Sequence, residues 1–196
     1  MTSIAPAPQM PEAQRPAPVA RAKSNKPFTA EDHELIRTEA ALDEWIAEST
    51  KAGVVSFDLE AHGAERGLVG IAFALLEGPW GNVNSSRRRA AYLPIGHRGP
   101  GEAQGALDLG GAGKTSGDTL LPDQLALKTV VEKLKPLLED PGVLKVGHDI
   151  KDDLDVLEQH GIRISPVDDT MLLSFVLDGG KHGHGLDDLA ERYLDQ

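Results

Sequence analysis

GVVSFDLE (residues 53–60) is the stretch that decides the fold. A glycine opens a run of β-branched and apolar residues, which is typical of a buried strand. Two acids, Asp58 and Glu60, interrupt this run at positions i and i+2, so both side chains face the same side of the sheet. Two like charges on an apolar strand are costly unless a cation or hydrogen bonds compensate them. The pattern therefore predicts a strand end at which both acids bind a divalent cation such as Mg²⁺. The alternative is a strand that simply ends in solvated acids.

A second group of acids follows another short apolar strand. KVGHDIKDD (145–153) places Asp149, Asp152 and Asp153 where that strand gives way to a helix. Acids in the first turn of a helix are favoured by the helix dipole, whatever their function. Asp149 and Asp153 are four residues apart and share one helix face. We expect Asp153 to reach the same sheet end as the two strand acids, where three carboxylates would form a two-metal phosphoryl-transfer site.

The segments around these motifs predict an α/β domain. Three strands in succession, followed by helix, strand and two helices, favour a mixed sheet flanked by helices. Residues 98–121 are rich in glycine and are predicted to form a long loop or insertion. The predicted strands are 32–37, 53–60, 68–76, 90–97 and 143–148, and the predicted helices follow Thr38 and Pro122 and span 150–160, 170–178 and 185–195. Leu42, Trp45 and Ile46 share one face of the helix after Thr38, and Asp168 or Asp169 can cap the helix 170–178.

Composition separates the N-terminal stretch from the remainder of the chain. Residues 1–27 hold about half of the 13 prolines and no aromatic residue before Phe28, which predicts a disordered linker or tail. Residues 28–196 are then expected to form one domain. The chain has no cysteine and no apolar run of the roughly 18 residues that a membrane helix needs, so we expect a cytoplasmic protein without a membrane span. Its formal net charge of −11 counts against a stand-alone DNA-binding module, but less against a nuclease that concentrates carboxylates.

The two acidic motifs resemble those of a known family. FDLEA (57–61) resembles the first exonuclease motif of the DNA polymerase I family, and KVGHDIKDDLDVL (145–157) resembles the second. The segments LVGIAFAL, AAYLPIGH, LKPLLED, DDTMLLSFVLD and HGLDDLAERYL match others of the same domain in order, so the resemblance covers nearly all of residues 32–196. It implies a ribonuclease-H-like fold, a mixed β-sheet flanked by α-helices. It also implies a proofreading 3′→5′ exonuclease that removes nucleotides from single-stranded or frayed DNA 3′ ends.

The resemblance also implies roles for the acids. Asp58 would bind both of two divalent cations, Mg²⁺ or Mn²⁺, while Glu60 would bind the first and Asp153 the second. These three residues are the expected catalytic and metal-binding set. One metal would generate hydroxide from water, and the other would stabilise the departing 3′ oxygen.

Three positions near the substrate depart from the family's motifs. Ala61 stands where the family has threonine, Ala64 where a leucine wedges against the terminal base, and Asp149 where the second motif has asparagine. Each change is expected to weaken substrate binding. Asp149 would also add a negative charge near the path of the phosphate.

The family's third motif, Tyr-x-x-x-Asp, is not found before Gln196. The resemblance therefore implies a domain truncated at its C-terminal side, without the family's 5′ nuclease and polymerase domains. Two functions stay open. The chain is either an active metal-dependent exonuclease, or a catalytically inactive exonuclease-like domain with a structural or weak DNA-binding role.

Two basic or glycine-rich segments are given weaker interpretations. GGAGKT (110–115) lacks the first glycine of a phosphate-binding loop, because position 108 is aspartate. Arg87, Arg88 and Arg89 are expected to form a solvated turn between strands, with contact to a DNA backbone as the alternative.

Overall fold

The computed structural model describes residues 33–63, 66–77, 87–99 and 119–194. Within these residues the chain forms eight strands and five helices. In order they are β1 (His33–Leu35), α1 (Glu39–Ala52), β2 (Val54–His62), β3 (Gly67–Glu77), β4 (Arg87–Pro94), β5 (Arg98–Gly99), β6 (Thr119–Leu120), α2 (Leu127–Leu138), β7 (Leu144–Gly147), α3 (Lys151–Gln159), β8 (Val167–Asp169), α4 (Thr170–Asp178) and α5 (Leu186–Leu194). The strands and helices predicted from the sequence are confirmed, with shifted boundaries.

Six strands form one mixed sheet in the order β1-β4-β3-β2-β7-β8. The hairpins β2–β3 and β3–β4 are antiparallel, whereas β1–β4, β2–β7 and β7–β8 are parallel. β2, the strand that carries Asp58 and Glu60, lies inside the sheet. It is antiparallel to β3 on one side and parallel to β7 on the other. The predicted fold class, a ribonuclease-H-like mixed sheet flanked by helices, is confirmed.

Two short strands and one edge strand were not predicted. β5 and β6 pair with each other and close the two ends of the expected loop 98–121, while residues 100–118 lie outside the described part of the chain. β8 was expected only as a cap for the following helix. It is three residues long, too short for an alternating pattern to reveal it.

Helix α1 shows how local signals set the element boundaries. The Thr38 side chain accepts a hydrogen bond from the Ala41 N–H, and Gly53 ends the helix with φ 71°. That left-handed conformation favours glycine. The helix buries Leu42 and Trp45 against the sheet, as their spacing predicted.

The two faces of the three antiparallel strands β2, β3 and β4 carry different kinds of side chain. On one face Phe57, Phe73 and Ala91 lie side by side across the three strands, and all are buried. One residue further along each strand, the opposite face carries the acids. Cross-strand alternation thus separates a packed core from a polar surface on the same three strands.

Lys145 on β7 is the exception among the core residues. Its side chain is fully buried, next to Val55 in the sheet register. The ammonium group donates to the carbonyl oxygens of Asp140 at 2.8 Å and Ser165 at 2.7 Å, with Leu137 further away at 3.5 Å. The Leu137 carbonyl belongs to the last turn of α2, where carbonyls have no donor within the helix, and Asp140 follows the end of that helix. Lys145 therefore ties α2 and the segment before β8 to β7.

Helices α4 and α5 are less covered than the remainder of the described chain. Leu172, Phe175, Val176 and Leu177 on α4 are all more than half exposed. Among the described residues, no helix combines the length and the apolar character needed to cross a membrane. The expected tail, residues 1–27, lies outside the described residues.

Candidate active site

Strand β2 presents Asp58 and Glu60 on the exposed face of the sheet. Val55 and Phe57 alternate with them and are buried on the other face, so the i, i+2 prediction holds. Asp58 lies opposite Ala72 on β3, and Glu60 lies opposite Gly70. The pairing register shifts between Glu60 and Ala61, where a bulge bends the strand end. Small neighbours and a bent strand leave both carboxylates accessible.

The turn between β7 and α3 brings the second acidic motif to this strand end. Parallel pairing of β7 with β2 ends at Val146, and a Cβ at Gly147 would lie 2.1 Å from Ile150 Cγ2. Only glycine allows such a tight turn at position 147. Asp149 adopts a left-handed conformation with φ 53°, which aspartate tolerates better than most residues. The chain can therefore reverse within a few residues and begin α3 beside β2.

Asp169 holds this turn in place. Its carboxylate accepts the backbone N–H groups of Asp149 and Ile150 at 3.1 and 3.2 Å, and it also caps α4 through the N–H groups of Met171 and Leu172. Burial alone would raise the pKa of Asp169, but these four donors hold it below its ordinary value. The Asp169 carboxylate is thus occupied by hydrogen bonds from four backbone N–H groups. The sequence predicted the cap on α4 but not the second role.

Asp153 lies against the edge of β2 beyond its pairing with β7. The backbone N–H of Leu59 donates to the Asp153 carboxylate, and the charge of Asp58 is close enough to act on it. Burial first, and then the Asp58 charge, raise the pKa of Asp153 to about 6. The expected approach of Asp153 to the strand acid is therefore present in the fold. Because the Asp58 charge disfavours the ionised form of Asp153, a cation bound beside Asp153 would be stabilising.

The other acids of the second motif do not join this pair. Asp152 forms a salt bridge with Arg66 at 2.9 Å, which holds the pKa of Asp152 below its ordinary value. Asp149 is exposed at the turn. Among the motif's three aspartates, only Asp153 faces the strand acids.

In the described part of the chain, no three His, Cys, Asp or Glu side chains are gathered tightly enough to form a ready-made metal site. Three like charges repel each other, so close convergence of Asp58, Glu60 and Asp153 needs a cation between them. The available donors are all carboxylate oxygens, the ligands that Mg²⁺ and Mn²⁺ prefer. The donor set and the raised pKa of Asp153 therefore fit a hard divalent cation.

The three predicted substrate positions have different locations. Ala61 lies on β2 just past the bulge, exposed, and lines a cleft beside Glu60. Asp149 lies at the β7–α3 turn, on the other side of the acids. Ala64 lies outside the described residues, as does the GGAGKT segment.

Tyr92 on β4 and His97 just after it were not identified as site residues from the sequence. The Tyr92 hydroxyl lies 2.7 Å from His97 Nε2, in the same cleft as Glu60. Burial, followed by the charge of Glu60, raises the pKa of Tyr92. The sequence signal was a tyrosine within an apolar strand. It became informative only once the register placed Tyr92 two strands away from Asp58.

The arginine run is not a turn, which corrects the prediction. Arg87, Arg88 and Arg89 form the first part of β4. Arg89 makes ion pairs with Glu34 and Glu48, and its guanidinium lies 4.7 Å from the centre of the Trp45 ring. Arg89 therefore packs against β1 and α1. The strand's apolar pattern begins after these arginines, which is why they resembled a loop.

The order of the six-stranded mixed sheet and its flanking helices define a ribonuclease-H-like α/β fold. A family described as 3′-5′ exonuclease matches residues 112–196. DNA polymerase I of Rhizobium leguminosarum is 36% identical over 188 residues, which cover 91% of this chain and 17% of that protein. DNA polymerase I of Pseudomonas aeruginosa is 32% identical over 179 residues, covering 88% of this chain and 16% of the relative.

Among solved structures, Escherichia coli RNase D, an exoribonuclease involved in structured RNA processing, has a similar fold. Its TM-score is 0.53 at 18% identity, over 84% of this chain and 34% of that one. This likeness concerns the fold alone. The polymerase relatives are closer in sequence, and the chain spans about a sixth of their length. Together these matches support a 3′-5′ exonuclease domain similar to a segment of bacterial DNA polymerase I.

Proposed function

We propose that this domain hydrolyses nucleotides from the 3′ ends of single-stranded or frayed DNA, as a metal-dependent exonuclease. The observation that supports this most directly is the approach of Asp153 to Asp58 at the edge of β2. A half-buried carboxylate placed beside another carboxylate is unfavourable for stability alone, and becomes useful when a cation binds between them.

Asp58, Glu60 and Asp153 are the proposed catalytic residues and would hold two divalent cations, Mg²⁺ or Mn²⁺. When bound, the cations would supply charge neutralisation for the scissile phosphate and lower the pKa of an attacking water. Asp58 shares a sheet face with Glu60 and its charge acts on Asp153, so Asp58 is the residue that would serve both cations. Glu60, on the same face and nearer the strand end, would serve the cation on the side of the cleft.

The remaining groups of the site orient these acids. The Leu59 N–H donates to Asp153 and so fixes one of its carboxylate oxygens. The Asp169 carboxylate holds the turn from which α3, and with it Asp153, starts. Arg66 neutralises Asp152 and keeps one further negative charge of the motif away from the phosphate path. These contacts leave Asp153 as the acid of its motif that is directed at the strand.

Substrate recognition is proposed to involve the positions that depart from the family's motifs. Ala61 would contact the terminal nucleotide through its small exposed side chain. Asp149 would lie near the phosphate path, where its charge weakens binding. Ala64 is proposed as a substrate contact on the grounds of the resemblance alone.

A digestion assay tests the proposal. A 5′-labelled single-stranded oligonucleotide is incubated with the chain and Mg²⁺ or Mn²⁺, in parallel with Asp58→Ala. Asp187→Ala, on the exposed face of α5, is the matched control. We expect a ladder that shortens from the 3′ end, is abolished by chelator and by Asp58→Ala, and persists in Asp187→Ala.

The absence of a ladder from a folded chain would overturn the enzymatic function. The second candidate, an inactive exonuclease-like domain with a structural or weak DNA-binding role, would then stand. The apolar surface of α4 is the observation that favours it, because exposed apolar patches commonly mark contact surfaces.

A further inference from the structure

The cleft beside Glu60 has features that the acid site does not use. Its volume is about 600 Å³, within the range of small-ligand sites. Glu60 and Ala61 form one side, and Tyr92, His97 and Arg98 form the other. In a chain of net charge −11, this cleft combines one carboxylate with an arginine and three ring side chains, those of His62, Tyr92 and His97. That lining is suited to a ligand with both a phosphate and a flat, polar ring.

Between the acids and Tyr92, β3 carries only small residues on this face of the sheet. Ala72 lies between Asp58 and Tyr92 in one cross-strand row, and Gly70 lies opposite Glu60 in the next. A Cβ at Gly70 would come within 1.9 Å of the Tyr92 hydroxyl oxygen. The missing side chain therefore lets the tyrosine lean across β3 toward Glu60. The result is a trough with the acids on one side and a phenol on the other.

His97 is held firmly behind Tyr92. Gln124 binds the His97 backbone on both sides, because Oε1 accepts from the His97 N–H at 2.8 Å and Nε2 donates to the His97 carbonyl at 3.0 Å. The neighbouring Gly96 N–H donates to the Val69 carbonyl oxygen at 2.8 Å. A half-buried ring hydrogen bond supported by this many backbone contacts is rigid, as a substrate-positioning group needs to be.

We propose that Tyr92 binds the nucleotide at the 3′ end of a single-stranded nucleic acid, and that His97 acts through Tyr92 as a positioning residue. The nucleotide would lie in the trough above Gly70 and Ala72. The Tyr92 hydroxyl would hydrogen-bond to it, and its phosphate side would face Arg98. This inference rests on the proposed function for its substrate class, but it can be tested by binding without hydrolysis.

The hydroxyl of Tyr92 has one proton and two lone pairs, so its bond to His97 determines what it offers to a ligand. With His97 Nε2 as donor, the phenol can donate to the nucleotide. With Nε2 as acceptor, the phenol offers a lone pair. Loss of the His97 ring would free the hydroxyl to rotate and weaken either arrangement. The two residues should therefore act as one unit.

Equilibrium binding of a short 5′-fluorescein-labelled oligothymidylate in EDTA is the direct experiment. Tyr92→Phe removes the hydroxyl and keeps the ring, and Tyr193→Phe on α5 is the matched control outside the cleft. Loss of one hydrogen bond predicts a Kd raised roughly 3- to 10-fold for Tyr92→Phe and unchanged for Tyr193→Phe. With Mg²⁺, KM should rise by the same factor while kcat stays within about twofold.

A double-mutant cycle tests the role of His97. His97→Asn should raise Kd about as much as Tyr92→Phe, and the double variant should be no weaker than the weaker single variant. Additive losses would overturn the coupling, and an unchanged Kd for Tyr92→Phe would overturn the proposal. If the wild-type chain binds the oligonucleotide but forms no ladder, the proposed hydrolysis fails while the Tyr92 effect on Kd still decides this inference. A wild-type chain that does not bind overturns both.

Discussion

The two faces of the strands β2, β3 and β4 serve different purposes. On the inner face, rows such as Phe57–Phe73–Ala91 are buried and packed. On the outer face, the next row runs Asp58–Ala72–Tyr92, with a carboxylate, a small residue and a phenol. A shift of one residue along the strand exchanges one set for the other. The same backbone register therefore sets both stability and chemistry, through side chains on opposite faces of the sheet.

The largest effect is expected on the inner face. Phe57→Ala removes a buried ring from the middle of the core and should lower the free energy of unfolding by about 3–5 kcal/mol. Chemical denaturation measures this change. Ser56→Ala, the adjacent exposed position, is the control and should stay within about 0.5 kcal/mol. Comparable losses in both variants would mean that the two faces are not energetically distinct.

The outer face should show the opposite pattern. Asp58→Asn keeps the shape of the side chain but removes the charge that binds cations, so the exonuclease rate should fall at least roughly 100-fold. Its free energy of unfolding without metal should not fall, because Asp58 disfavours the ionised form of Asp153. Parallel rate and denaturation measurements separate the two effects. A variant that loses both activity and stability would contradict the assignment of Asp58 to the chemical face.

Lys145 tests whether a polar group on the inner face behaves as a core residue. Lys145→Met retains much of the side-chain volume but leaves the carbonyls of Asp140 and Ser165 without their donor. The expected loss of stability is about 1–3 kcal/mol. Lys151→Met on the exposed surface of α3 is the control, measured by the same denaturation curves. If both substitutions are neutral, water replaces the ammonium group and the tie between α2 and β7 is not important.

The features of the structure that the sequence predicted correctly are those that rest on local patterns. The alternation in β2 placed both acids on one face, and the strand-to-helix transition after Gly147 brought Asp153 toward them. Thr38 marked the start of α1 because its capping role depends on a few neighbouring residues. These signals are contained within single elements, so they survive without knowledge of the tertiary structure.

The features that were missed depend on contacts between distant segments. Tyr92 lies near the acids only because of the antiparallel register of three strands, and no local pattern states that register. Asp169 stabilises a turn 20 residues earlier in the chain, in addition to its expected cap. Arg89 was read as part of a turn because its partners, Glu34 and Glu48, belong to other elements. Side-chain pairing across the sheet was therefore the main limit of the sequence analysis.

The smallest expected effect is a pH dependence of the free energy of unfolding of the metal-free chain. It connects a carboxylate of the outer face to the stability of the fold. The pKa of Asp153 is raised to about 6, so between about pH 4 and pH 6 the folded state holds a proton that the unfolded state has released. Stability should therefore decrease as the pH rises through this window and then level off, by about 1–2 kcal/mol after allowance for solvent screening. Denaturation curves in EDTA measure the change. Asp153→Asn should flatten it, and Asp187→Asn on α5 should not.

Added Mg²⁺ gives this last prediction its connection to function. A cation that binds the ionised acids should restore stability above pH 6 and have little effect near pH 4, where Asp153 is protonated. The Asp153→Asn variant should respond less to Mg²⁺ at both pH values. If the wild type loses stability with rising pH but gains none from Mg²⁺, the carboxylate pair is a strained feature of the fold without a cation to relieve it. A gain in stability confined to the higher pH would show that the repulsion between Asp58 and Asp153, which destabilises the metal-free fold, is also what favours binding of the cation.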